Sequence, residues 1–238
     1  MSEGDLEAAR RVVALIAHEL RAPIAAVEGA AATIRRRRAE LGEEEQDRLL
    51  ALIEEESARV ARLARDLLST ALLEEGLLEV RIEPCDGAAA AASVIASARQ
   101  HLPGSVDLEL GAPAGLPPAA ADPDRLRQVL SNLVENALRH SPPGTSVRVA
   151  VVQQGQRIRF SVRNAGPGIA LDEQERIFEP FYRSTRAGGG RRGAAGLGLS
   201  IARELVERMG GRIWAESPEG SGITFVVELP AAGRGAAP

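Results

Sequence analysis

The 238-residue sequence contains no lysine; all 29 basic residues are arginine. Chemistry that needs a lysine amine is therefore excluded. That includes the phosphate-binding lysine of P-loop enzymes and the strand lysine of eukaryotic-type protein kinases. Cys85 is the single cysteine, so neither an internal disulfide nor a cysteine-based metal site can form, and a reducing compartment fits. Aromatic residues are only 3%, which leaves Ala, Leu, Val and Ile to build the core. No run reaches 18 apolar residues, so no membrane-spanning helix is expected. The opening Met-Ser-Glu-Gly-Asp does not read as a secretory signal, and a cytoplasmic chain is the expectation. A basic excess is missing too: 33 acidic residues against 29 basic ones give a net charge of -4. That argues against a nucleic-acid binder. The Arg35–Arg38 run reads as a solvated helix end that complements the dipole, rather than a contact for lipid or nucleic acid.

What is present is the balance of a globular protein, 45% hydrophobic and 26% charged, at a length suited to one large domain or two ordinary ones. Leu6, Val13, Leu20, Val27 and Ile34 recur at intervals of seven, with Ala9, Ile16, Ile24 and Ala31 between them. This heptad seam predicts a helix over 5–38, about 50 Å long. Gly42 marks a turn, and Glu43, Glu44 and Glu45 suit the first turn of a second helix ending near Gly76. One such hairpin cannot bury its seam, so two chains are expected to pair as a four-helix bundle. Beyond it, strands are predicted at 78–82, 106–110, 146–153, 157–164, 212–217 and 223–229. Helices are predicted at 86–100, 124–140, 172–178 and 197–209. Residues 185–193 read as a Gly/Arg loop and 231–238 as a disordered tail. The fold class is α+β: a helical hairpin over 1–77, then a two-layer α/β sandwich over 78–230.

Several segments carry chemistry. His18 falls at the outward heptad position and is expected to be exposed. Pro23 follows within the same helical pattern, where it costs about 3 kcal/mol and should kink or loosen the helix. Asn132 and Asn136, four residues apart, share a helix face. They make either a solvated stripe or a ligand pair for a hydrated Mg²⁺, which prefers oxygen donors and keeps several waters. Asn164-Ala165-Gly166-Pro167-Gly168-Ile169 follows a strand. Gly196-Leu197-Gly198-Leu199-Ser200 opens a helix, whose N-terminal N–H groups suit an anion. Between them lies Phe178-Glu179-Pro180-Phe181-Tyr182-Arg183.

Taken in this order, the segments resemble the H, N, G1, F and G2 boxes of the histidine kinases of bacterial two-component signalling, over about residues 5 to 230. The resemblance implies a HisKA-type dimerisation hairpin and an ATP-binding domain of the Bergerat/GHKL type. It implies that His18 is phosphorylated from ATP, with Glu19 bonding the other ring nitrogen and helping to take up its proton. It further implies that Asn136 ligates Mg²⁺ and that Asn132 contacts phosphate and metal. Arg139 and His140 would lie near the phosphates. Asn164, Gly166, Gly168 and Ile169 would meet the nucleotide, as would Phe178 and Arg183. Gly196 and Gly198 would cradle phosphates and anchor a lid, with Leu197 and Leu199 also in the nucleotide site. The implied partners are a second copy of the chain and the receiver domain of a response regulator, whose Asp takes the phosphoryl group. The whole protein could be the cytoplasmic part of a membrane-bound sensor. A pseudokinase that binds nucleotide weakly and docks a regulator or partner kinase is the alternative. Gyrase-like and Hsp90-like ATPases resemble this fold but carry a water-activating Glu where this chain has Asn132, an amide that cannot act as a base.

Two positions depart from the family pattern. The G1 box normally begins with Asp, which accepts a hydrogen bond from the adenine amino group. Asn164 keeps an acceptor oxygen but loses the charge and gains a donor. Weakened ATP binding and relaxed discrimination against guanine are expected. Ala22 stands where the family often has Thr or Asn to orient the water that dephosphorylates the regulator. Phosphatase activity is therefore expected to be poor.

Overall fold

The computed structural model describes residues 3–75, 77–100, 102, 106–182, 196–218 and 222–233, without the side chains of 3–15, 18 and 74. The chain forms two compact units that divide between Ala71 and Leu72.

The first unit is a helical hairpin. The 35-residue α1 (Glu3–Arg37) is followed by α2 (Glu43–Glu74), whose last turn belongs to the second unit. The three glutamates that open α2 complement its dipole, and Arg35, Arg36 and Arg37 do the same at the end of α1. The turn between them closes with main-chain bonds from Leu41 to Arg37 and from Glu45 to Gly42. Pro23 is buried inside a helix that remains continuous around it. Ala30, Leu41 and Leu63 are buried, whereas Ile24 is 44% and Leu68 61% exposed. One hairpin thus leaves part of its apolar surface bare. Among the described residues, no helix is long and apolar enough to cross a membrane.

The second unit is a two-layer sandwich. Its elements are β1 (Glu83–Cys85), α3 (Gly87–Arg99), β2 (Val106–Gly111), β3 (Ala119–Ala121), α4 (Pro123–His140), β4 (Thr145–Gln154), β5 (Arg157–Asn164), α5 (Gly198–Arg208), β6 (Arg212–Glu216) and β7 (Ile223–Pro230). The main sheet has the order β2-β4-β5-β7-β6, with β2 parallel to β4 and the other pairs antiparallel. Alternation sends Val147, Val149, Val151, Ile158, Phe160, Val162, Phe225, Val227 and Leu229 into the core, all at most 1% exposed. Helices α3, α4 and α5 pack against that face, with α4 in the middle. Asp122 caps α4 by accepting from the N–H groups of Asp124 and Arg125, while its other oxygen accepts from Arg81. Burial pushes the Asp122 carboxyl up, but these three N–H groups outweigh it and hold it below its ordinary range.

The opposite face of the sheet carries an ionic cluster. Glu228 on β7 is 2% exposed and lies between Arg159 on β5 and Arg212 on β6. Arg159 donates to Oε1 through Nε at 2.9 Å and Nη2 at 2.6 Å, and Arg212 donates to Oε2 through Nε at 2.7 Å. Both guanidinium groups also lie over the Trp214 ring, at 5.5 and 5.0 Å from its centroid. Burial pushes the Glu228 carboxyl up, yet the two arginines bring it down overall. At the edge of the helical layer, Arg208 of α5 donates to the main-chain oxygens of Leu73 at 2.8 Å and Leu78 at 3.4 Å. It thereby satisfies the Leu73 carbonyl that the end of α2 leaves open and one in the segment that follows.

Three expectations are corrected. No strand forms at 78–82; the strand is 83–85, paired antiparallel with 119–121, where no strand was expected. The Arg81 N–H is taken by Asp122 and the Leu78 carbonyl by Arg208, so side chains use the groups a ladder would need. The helix expected at 172–178 is two single 3₁₀ turns, Leu171–Glu173 and Arg176–Phe178. Pro180 forces Glu179 into an extended conformation and stops it there. The tail expected to be disordered from 231 keeps its first residues in place, because Ala231 donates to Gln156 O and Ala232 to Pro118 O.

The Glu228 cluster sets a pH dependence. Its pKa is lowered in the folded state, so the stabilisation is fully present above the unfolded carboxylate value of about 4.3. It is lost as pH falls from there through the lower folded value, because the unfolded chain binds the proton first. Glu228→Gln is expected to cost about 1–2 kcal/mol at pH 7, a figure discounted because both arginines are partly exposed to solvent. It should also flatten the fall in stability between about pH 5 and 3. Urea melts across that range measure this, and an unchanged slope contradicts it.

Candidate functional site

The site of the second unit is organised on α4. Its buried stripe of Leu126, Val129, Leu130, Leu133, Val134 and Ala137 turns the remaining face, with Asn132, Asn136, Arg139 and His140, toward the loops. All four of those side chains are half-buried. Asn132 donates through Nδ2 to the Gly198 carbonyl at 2.9 Å, tying α4 to the start of α5. Asn136 has no side-chain partner among the described residues, so its amide oxygen remains available.

The 164–169 loop meets the other end of α4. Asn164 is 2% exposed. Its Nδ2 donates to Ala137 O at 3.3 Å, and its Oδ1 accepts from the Ile223 N–H at 3.2 Å. Both halves of the amide are used, and a carboxylate could supply only the accepting half. Gly166 is buried so closely on α4 that a Cβ there would collide with the His140 carbonyl oxygen. Gly168 lies where a Cβ would come within 2.8 Å of Ser217 Oγ. Ser217 Oγ accepts from the Ile169 N–H and donates to Gly222 O, each at 2.8 Å. Gly222 itself, at φ 80°, leaves no room for a Cβ against the Asn164 carbonyl.

The third segment brings Phe178 and residues 196–199 together. Phe178 is 3% exposed and meets Phe225 edge-on at 6.5 Å, while Arg203 of α5 lies over it at 5.2 Å. Phe181 holds a left-handed φ of 63°, uncommon outside glycine, and its N–H donates to Gly196 O at 2.9 Å. Gly196, at φ 72°, admits no Cβ beside Phe181. Tyr182 donates to Glu173 at 2.8 Å, and that bond pushes its phenol up. Leu197 is buried and precedes α5, whose first turn has no side-chain cap. Arg183 lies outside the described residues.

These features test whether ATP and Mg²⁺ fit. The uncapped first turn of α5 offers N–H donors and a positive dipole end to phosphate. The cradle at Gly166 admits no side chain. Among the described residues, no group of three or more His, Cys, Asp or Glu could hold a metal. A cation here would rest on the Asn136 oxygen, phosphates and water, a donor set that suits Mg²⁺. The residues fit both groups.

In the first unit, His18 lies in α1 but its side chain is outside the described residues. Glu19 is half-buried and pairs with Arg59 of α2 at 3.4 Å. Ala22 is exposed.

Sequence reasoning did not find Ala137, Ser217, Gly222 or Arg59. Their contacts span 27 to 59 residues. The sequence Gly220-Ser221-Gly222 before β7 was the one local signal.

Residues 121–233 match the family of histidine kinase-, DNA gyrase B- and HSP90-like ATPases. Residues 8–76 match the His Kinase A phospho-acceptor domain. The chain belongs to the two-component histidine kinases. It is 34% identical over 220 residues to the alginate biosynthesis sensor protein KinB of Pseudomonas aeruginosa, covering 90% of this chain and 35% of KinB. Among solved structures, full-length ShkA in complex with AMPPNP aligns at a TM-score of 0.65 and 31% identity, over 94% of this chain and 46% of that one. The histidine kinase ThkA in complex with the response regulator protein TrrA aligns at 0.67 and 26%, over 96% and 64%. The chain spans less than two thirds of the length of the curated relatives it matches.

Gly166→Ala is expected to destabilise the second unit by about 1–3 kcal/mol, as overpacking does. Gly29→Ala, with open space around it, should cost nothing of that kind. Thermal melts of the two variants check the contrast, and equal melting temperatures contradict it.

Proposed function

We propose that the chain is the catalytic core of a protein-histidine kinase. It binds ATP and Mg²⁺ in the second unit, phosphorylates His18, and passes the phosphoryl group to an Asp of a response regulator. The carrying observation is the juxtaposition on α4. The Asn136 amide, without a side-chain partner among the described residues, shares a face with Asn132, which ties that face to the uncapped start of α5. The names of the relatives support the reading: ShkA is solved with an ATP analogue and ThkA with a response regulator. The hairpin (1–77) serves dimerisation and phosphotransfer, and 78–230 is the catalytic domain. The bare apolar surface around Ile24 and Leu68 supports pairing of two chains. The reading places this chemistry in the cytoplasm.

In the transfer, one neutral imidazole nitrogen of His18 attacks the γ-phosphorus and the bond to the β-phosphate oxygen breaks, releasing ADP. Glu19 takes up the proton from the other ring nitrogen. Asn136 would hold Mg²⁺, which supplies charge neutralisation across the phosphates when bound. Asn132 cannot activate water as a carboxylate would, which favours transfer over hydrolysis. The α5 first turn, from Gly198 and Leu199 on, receives phosphate oxygens. Asn164, Ile169 and the glycines shape the base pocket, with Phe178 and Leu197 supporting it from the core. Arg139, His140 and Arg183 supply positive charge and donors near the phosphates.

Incubation with γ-labelled ATP and Mg²⁺ tests this. Label that is acid-labile, base-stable and absent in His18→Gln is expected. ATP binding without any label instead favours the pseudokinase reading.

Asn164→Asp should act in two opposite directions. It places a carboxylate at a 2% exposed position facing the Ala137 carbonyl, costing about 1–3 kcal/mol without nucleotide. It also restores the charged acceptor for adenine, so ATP binds more tightly and GTP less well. Melts with and without nucleotide, together with ATP and GTP titrations, measure both effects. Equal ATP affinity in the two proteins refutes the second.

A further inference from the structure

The kinase reading gives Glu19 a proton to accept, and the structure adds a residue that the reading does not use. Arg59 of α2 reaches across the hairpin to Glu19 of α1, with Nη2 3.4 Å from Oε2. Its other arm, Nη1, lies 3.3 Å from Oε2 of Glu56, one turn back on α2. The three side chains are 12%, 10% and 18% exposed. This is an enclosed chain of charges running from one helix to the other.

Its surroundings are apolar. Glu19 lines a small gap between the helices with Ile16, Leu20, Leu63 and Leu67. A carboxylate in such a layer is strongly disfavoured unless a cation meets it. An ionic pair is also a poor way to stabilise a helical hairpin, since apolar residues of similar volume often do as well or better. The buried residues Ala30, Leu41 and Leu63 show the apolar solution used elsewhere in this hairpin. The ionic layer instead falls on the residue next to His18. Arg59 keeps its Nε shut from solvent with no hydrogen-bond partner among the described residues. Its guanidinium is thus placed for its two Nη arms at the expense of the third donor.

We propose that Arg59 is the positioning residue for Glu19. By holding one oxygen of the carboxylate against α2, it fixes the rotation of the group, ready to take the His18 ring proton during phosphorylation. Glu56 anchors Arg59 from behind. This rests on the kinase reading above.

The test uses the full chain and first establishes acid-labile label in wild type that His18→Gln lacks. Arg59→Met, Arg59→Lys and Glu19→Gln are then compared, together with the double variant Arg59→Met/Glu19→Gln. Arg59→Met is expected to label about tenfold or more slowly, a share of what a positioned base contributes. Its KM for ATP should not change. Arg59→Lys, which keeps the charge, should recover part of the rate. The double variant should be no slower than Glu19→Gln alone, because Arg59 then has nothing to position. A purely structural role predicts the opposite, with the two losses multiplying. If Arg59→Met does not fold, the same cycle is run with Arg59→Lys, which must also lose its effect in the Glu19→Gln background. Multiplying losses, or a wild-type rate in a folded Arg59→Met, overturns the proposal and leaves the kinase reading intact. Absence of label in wild type overturns both.

Discussion

Burial of one stripe of α4 is the constraint on which the second unit depends. Leu126, Val129, Leu130, Leu133, Val134 and Ala137 are all at most 1% exposed. Each buried Leu or Val side chain among them contributes about 1.5–3 kcal/mol. The stripe fixes the rotation of the helix about its axis. Because 3.6 residues make a turn, that rotation also decides where Asn132, Asn136 and His140 point. Two other segments of the site then bind to α4. Asn132 takes the Gly198 carbonyl, Ala137 O receives Asn164, and the His140 main chain lies against Gly166. The core thus positions three chain segments that lie far apart in sequence.

A chain without lysine uses arginine wherever charge must be placed with direction. The guanidinium fork permits contacts that an ammonium could not make. Arg159 and Arg212 grip both oxygens of Glu228 while stacking on Trp214. Arg208 spans the carbonyls of Leu73 and Leu78. Arg59 holds Glu19 and Glu56 with separate arms. In a chain that is only 3% aromatic, these arginines also cover apolar surface, as Arg203 does over Phe178.

Long periodic elements were legible in the sequence. The heptad seam predicted α1 at 5–38 and the structure has Glu3–Arg37; α4, the β4–β5 hairpin and β7 fall within a residue or two of expectation. Their signals are local: periodicity, a capping Asp, a glycine turn. The β1–β3 pair was illegible for the opposite reason. Each strand is three residues long, one contains Pro84, and their partners lie 34 to 38 residues apart, so no window holds both. The candidate site was legible as a set of motifs but not as a network. Asn164 reads as a base-contacting residue, whereas its dual bonding to Ala137 and Ile223 follows from sheet register and from the seating of α4.

The family that matches residues 121–233 includes hydrolases and kinases, so membership alone does not choose the reaction. Two local features bear on the choice. On the proposed reading Asn132 puts an amide where hydrolysis would need a base, and that amide already donates to the Gly198 carbonyl. A residue tied into the α4–α5 joint is poorly placed to activate water even apart from its chemistry. The hairpin supplies the complementary half, with a His beside a carboxylate that is enclosed and paired with arginine. On the proposed reading, proton acceptance has moved from the nucleotide domain to the substrate helix. The base then acts on the nucleophile that will keep the phosphoryl group, and water beside the γ-phosphate finds no comparable acceptor on Asn132.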